Sequence, residues 1–166
     1  MLGLCYKDQP IFALCDLPNQ QEQYVTRLGQ GVTRNGQLIH PNQETQLAQS
    51  FLVTCILNGQ ERMNRMVGEL KPAIKGMHTR NSSLIEICEV ISGKTEIGVW
   101  HGLGEHEWPT AWLLAKERGW VISELESEVP TFNLSGGGRR SFLITANEVL
   151  YEQVKHLVHM PPLEKI

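Results

Sequence analysis

The order of apolar runs between Leu84 and Val158 limits the possible folds of this chain more than any other feature. Leu84 to Ile91 is rich in isoleucine and predicts a strand, Ser92-Gly93-Lys94 a turn, and Thr95 to Trp100 a returning strand. Pro109 suits the first turn of a helix running to Arg118, and Gly119 stops it. Three further strands are expected over Trp120 to Leu125, Val129 to Leu134 and Ser141 to Thr145. Thr145-Ala146-Asn147-Glu148 reads as a capping box, followed by a helix that buries Leu150, Val154, Leu157 and Val158 and ends at Pro161-Pro162. The resulting order, β-β-α-β-β-β-α, contains no repeated βαβ unit. It predicts an α+β two-layer sandwich, a mainly antiparallel sheet with helices packed on one face.

The first half reads as shorter pieces. Pro10 to Leu14 predicts a strand. Asn19 to Leu28 predicts a helix with Tyr24, Val25 and Leu28 on one face and Gly29 as its stop. Asn35-Gly36 lies between Val32-Thr33 and Leu38-Ile39, the strongest short hairpin signal a sequence offers. Asn42 reads as the cap of a second helix, with Leu47, Phe51 and Cys55 at helical spacing, Leu52 and Ile56 beside them, and Gly59 as its end. Met63, Met66, Val67 and Leu70 give a third helix, limited by Pro72. The expectation is a single domain over 1–166, with a helix-rich part and short hairpin over 1–80 and the ββαβββα part over 84–160.

At 41% hydrophobic and 20% charged residues, the chain can bury a core. No apolar run approaches the roughly 20 residues of a membrane helix, so no membrane partner is expected. The opening Met1-Leu2-Gly3-Leu4-Cys5-Tyr6-Lys7-Asp8 lacks the basic-then-apolar pattern of a signal peptide, and the expected compartment is the cytoplasm. Cys5, Cys15, Cys55 and Cys88 form no CxxC pair, which fits a reducing environment. The formal net charge of -3 argues against indiscriminate nucleic-acid binding. Charge is nonetheless segregated. Arg62, Arg65, Lys71, Lys75 and Arg80 make one stretch basic, and glutamates from Glu105 to Glu128 make a later one acidic.

The segment Gly136-Gly137-Gly138-Arg139-Arg140-Ser141 is the first candidate site. Three glycines leave the backbone open to close approach, and two arginines suit carboxylate or phosphate. Backbone N–H groups and both guanidinium groups would form an anion cradle. The spacing is neither a Walker loop nor a dinucleotide fingerprint. The run resembles the loop that delivers the nucleophilic cysteine in guanidine-modifying enzymes such as arginine deiminases. Ser141 stands at the cysteine position here and would need an activating base. The likeness is confined to this loop and assigns no family.

The second candidate is His101-Gly102-Leu103-Gly104-Glu105-His106-Glu107-Trp108. His101, His106 and Glu105 are the candidate catalytic residues, because histidine titrates near neutral pH and carboxylates complete acid–base pairs. H-x4-H lacks the spacing of a recognised zinc motif; a third ligand would have to come from His78 or His40, so no metal and no cofactor are assigned. Glu86 and Cys88 share one face of the expected strand, and Cys88 reads as packing. Trp100, Trp108, Trp112 and Trp120 read as core.

Three function classes follow. The first is a small cytoplasmic binding domain that recognises an anionic partner, nucleic acid or a phosphorylated ligand, through the Gly-Gly-Gly-Arg-Arg loop. The second is a small hydrolase or transferase working from the His101–Glu107 loop. The third is a non-catalytic domain with a protein partner, for interaction or inhibition. The oligomeric state is not assigned.

Overall fold

The computed structural model describes residues 1–40, 43–55, 61–125 and 138–158. They form two sheets and four helices, the α+β architecture expected above.

The first sheet is an antiparallel meander: β1 (Leu2–Tyr6), β2 (Gln9–Leu17), β3 (Glu22–Arg27), β4 (Val32–Arg34) and β5 (Gln37–Leu38), adjacent in that order. Asn35 and Gly36 join β4 to β5 with φ of 51° and 78°, the positive pair that a two-residue hairpin of this hand requires. The N-terminal part is therefore built of strands and not rich in helix. Residues 19–28 were expected to be helical because Tyr24, Val25 and Leu28 fit that spacing. In β3 the buried side chains are Tyr24 and Thr26, which alternate with less buried neighbours at the strand period.

The second sheet is mixed and has the order β7-β6-β8-β10-β9: β6 is Phe51–Thr54, β7 Gly76–His78, β8 Ile97–Leu103, β9 Val121–Glu124 and β10 Arg140–Thr145. β6 runs parallel to both β7 and β8, while β10 pairs antiparallel with β8 and β9. The stretch from Leu47 was expected to be helical. It forms a 3-10 turn over Leu47–Gln49 and then β6, where Leu52, Val53 and Thr54 are all buried. A strand covered on both faces reads as a continuous apolar run and shows no alternation.

The four helices are α1 (Glu61–Leu70), α2 (Ser83–Ser92), α3 (Trp108–Glu117) and α4 (Glu148–Val158). α2 corrects the strand expected over 84–91. Its isoleucines suit a strand, but Leu84, Ile87, Cys88 and Ile91 also recur at helical spacing, with Ser82 at the N-cap and Gly93 closing the C-terminus. α4 is capped by Asn147, whose Oδ1 accepts the Leu150 N–H at 3.0 Å, and not by Thr145, which is the last residue of β10. The expected strand over Val129 to Leu134, the Asn42 cap, the Gly59 stop and Pro161-Pro162 lie outside the described residues.

Two cores result. The larger joins α2 and α3 to the inner faces of both sheets and holds Tyr24, Ile87, Trp100, Trp108, Leu113 and Phe142. The smaller, with Leu52, Met66, Leu70, Val99, Leu143 and Val154, packs α1 and α4 on the opposite face of the second sheet. Neighbours on one strand divide between them: Val99 faces the smaller core and Trp100 the larger. All four tryptophans are buried. Among the described residues, no helix is long and apolar enough to cross a membrane.

Candidate functional site

β6 and β8 are parallel, and their carboxyl ends point the same way. Clefts form outside such ends in α/β sheets. A cleft of about 220 Å³ lies here. Cys55, the residue after β6, and Trp100 to Leu103 of β8 form its floor, Asn81 to Ser83 form the wall leading into α2, and Glu107 and Arg139 complete the rim.

The two loops singled out in the sequence meet at this cleft. Glu105 Oε1 accepts the Gly138 N–H at 2.5 Å, and Arg139 Nη1 donates to the Gly102 carbonyl at 2.8 Å. These bonds bind the end of the glycine segment to the histidine loop. Gly136 and Gly137 lie outside the described residues.

His101 lines the cleft, and its Nδ1 lies 2.6 Å from Ser141 Oγ. That hydroxyl also accepts the Gly102 N–H at 3.3 Å. The same hydroxyl can donate to Nδ1 or accept from an Nδ1–H, so the contact orients the ring in either protonation state. Ser141 is thus buried behind the histidine and orients it. His106 is 84% exposed and lies 3.8 Å from Glu107 Oε2. Glu107 instead holds the cleft together, accepting the Gly104 N–H at 2.8 Å and the Ser83 hydroxyl.

The two arginines take separate paths. Arg139 is exposed at the rim, while Arg140 pairs with Glu124 at 2.5 Å and lies over the Trp108 ring at 4.6 Å. Elsewhere in the basic stretch, Arg65 pairs with Glu69 and Arg80 with Glu89. Burial raises the Cys55 thiol above its usual range, with smaller contributions from Glu86 and Glu107, so the protonated thiol is favoured. Cys88 is raised by its hydrogen bond to Cys15 and by burial, in keeping with packing. His78 is bonded to Glu89, and His40 is exposed at the end of the first sheet. Among the described residues, no three His, Cys, Asp or Glu side chains gather as a metal site.

Residues 1–159 match the inositol monophosphatase family. The chain belongs to that family. Among solved structures, inositol monophosphatase II from Staphylococcus aureus matches with a TM-score of 0.81 at 19% identity, covering 98% of this chain and 63% of that one. The Anabaena inositol monophosphatase matches at 0.78 and 20% identity, covering 97% and 66%. The extragenic suppressor protein suhB of Bartonella henselae matches at 0.79 and 13% identity, covering 95% and 59%. At these identities the likeness is one of fold. All three matches span less than two thirds of the other chain, at 63%, 66% and 59%. SaIMPase-II has been solved with inositol monophosphate bound and with 2'AMP bound. No curated protein matches this chain.

In this inositol monophosphatase family member, the sequence reading missed Asn81, Ser82, Ser83 and Cys55 as cleft residues. A helix-start signal was present in Asn81-Ser82-Ser83 ahead of the period Leu84, Ile87, Cys88 and Ile91. Reading 84–91 as a strand hid it. Cys55 became legible only once β6 was seen to end beside β8.

Proposed function

We propose that the cleft binds a small phosphomonoester and that the chain serves a phosphomonoester hydrolase. The observation that carries this reading is the meeting of Arg139, His101 and the Asn81–Ser83 entry to α2 around one cleft. Family membership supports it, and so do the phosphorylated ligands bound to SaIMPase-II. Arg139 offers a planar fork of N–H donors at the rim, suited to phosphate oxygens. The opening of α2 adds the hydroxyl of Ser82, which makes no cap bond, and the positive end of a ten-residue helix. Ionised Glu107 only accepts, so it takes the hydroxyls of the organic part and keeps the phosphate toward Arg139.

Hydrolysis breaks the ester P–O bond and forms a new P–O bond to water, and the leaving alkoxide takes up a proton. In its imidazolium form His101, held at Nδ1 by Ser141 Oγ, can give the leaving oxygen a proton from Nε2, and the attacking water returns a proton to the ring as the new P–O bond forms. The anion-binding and hydrolase alternatives drawn from the sequence thus become one site, with the glycine segment's end and the histidine loop as its two sides.

The test is a panel of phosphomonoesters comprising a polyol phosphate, a nucleoside 2'-phosphate and a sugar phosphate, with binding and phosphate release both measured. Wild type should bind at least one and release phosphate from it. His101→Gln should keep binding within about threefold and lower release by roughly 100-fold, the contribution of one positioned acid. Binding of none of the panel would end this reading.

A further inference from the structure

Glu86 is a carboxylate with 0% exposure, set in the first turn of α2. A buried carboxylate is costly unless its oxygens are well supplied with donors. Here Oε1 accepts the Arg80 N–H at 2.8 Å and the Thr79 hydroxyl at 3.2 Å, and Oε2 accepts Trp100 Nε1–H at 3.0 Å. The donors come from two places. Thr79 and Arg80 belong to the turn that runs into Asn81–Ser83, one wall of the cleft, and Trp100 precedes His101 in its floor.

Both attachments are tightly set. Asn81 holds φ of 54°, a conformation uncommon outside glycine, and its N–H is accepted by Thr79 Oγ1 at 3.2 Å. Trp100 folds back over Gly98 so closely that a Cβ there would lie 2.2 Å from the ring, so the ring has one place to sit. Glu89, one turn further along α2, holds the start of the same turn through His78 at 2.9 Å and Arg80 Nε at 3.0 Å.

We infer that Glu86 is a positioning residue that fixes the Asn81–Ser83 wall against Trp100 and His101, so that the cleft is shaped before any ligand arrives. This rests on the phosphomonoester reading of the cleft. A neutral amide at position 86 offers one carbonyl oxygen, so one attachment must lose its acceptor and face another N–H donor.

The experiment compares wild type, Glu86→Gln, Thr79→Val and Ile87→Ala. It reads amide hydrogen exchange of Arg80 to Ser83 and of the Trp100 indole N–H, and affinity for inorganic phosphate, all well below the melting temperature. Ile87 is the buried neighbour of Glu86 and controls for general loosening of α2. Glu86→Gln should speed exchange at the turn and the indole, and weaken phosphate binding by about tenfold. Thr79→Val removes one donor to Glu86 and the acceptor of the Asn81 N–H; it should speed exchange at the turn and shift the Trp100 indole and the phosphate affinity by less than Glu86→Gln does. Ile87→Ala should lower the melting temperature and leave both readouts at wild-type values. Unchanged exchange in Glu86→Gln, or an equal rise in Ile87→Ala, overturns the inference, and this arm needs no ligand. Failure of wild type to bind phosphate counts against the reading of the cleft, while the exchange arm still decides the role of Glu86.

Discussion

Arg139 and Arg140 are neighbours of identical chemistry with opposite surroundings. Arg140 is held between Glu124 and the face of Trp108, with only 15% of its side chain exposed. Removing it leaves Glu124 without this partner and uncovers a buried ring. Arg140→Ala should therefore cost about 2 kcal/mol of stability. Arg139 stands at the rim with one N–H given to Gly102. Arg139→Ala should leave the melting temperature within about a degree and weaken phosphomonoester binding by roughly tenfold. Thermal melts and a binding titration on the two single variants separate the roles. The reverse pattern would mean that the assignment of the arginines is wrong. The sequence showed two adjacent cations and nothing to separate them, because the separation depends on Trp108 and Glu124, which are distant in sequence and adjacent only in the fold.

Glu22 is one of the polar ties between elements. It lies in β3 and accepts from Tyr24 at 2.6 Å and from Lys94, in the turn after α2, at 3.1 Å. Burial tends to raise its carboxyl. The hydrogen bonds from Tyr24 and Lys94 and the charges of Lys94 and Arg34 outweigh burial, so the folded value lies below the ordinary one. A depressed carboxylate contributes stability above its unfolded pKa and loses it as pH falls through the folded value. Glu22→Gln should therefore melt about 2–4 °C below wild type at pH 7, and the gap should close as pH falls through the depressed carboxyl's titration. A gap that widens in acid would contradict the linkage.

Strand and helix types were legible where one period was unmistakable. Asn35-Gly36, the helix opened by Pro109 and the α4 stripe of Leu150, Val154 and Val158 all stand in the structure. They were not legible where two periods overlapped. The run from Leu84 to Ile91 fits either, and Tyr24 with Val25 and Leu28 imitates a helix face. β6, buried on both sides, has no period to read. Because the strand reading of 84–91 concealed the start of α2, it also concealed one wall of the cleft.

At the scale of the whole molecule, the layering places the site. α2 and α3 lie between the sheets, and the parallel pair β6 and β8 opens the second sheet at the point where α2 begins. The cleft needs both: strand ends for His101 and Cys55, and a helix start for Asn81 to Ser83. A net charge of -3 does not prevent an anion from binding there, because Arg139 and the α2 N-terminus act locally and distant surface charges are screened beyond about 10 Å. Composition spoke against nucleic acid as a bulk partner and was silent about a small phosphate. The measurement that tests this account most directly is a two-dimensional amide NMR titration of the chain with inositol monophosphate. Binding in the cleft should give saturable shifts at Asn81, Ser82, Ser83, Gly102 and Arg139 and at the His101 ring, with the first sheet unmoved. Shifts centred elsewhere, or none at saturating ligand, would contradict it.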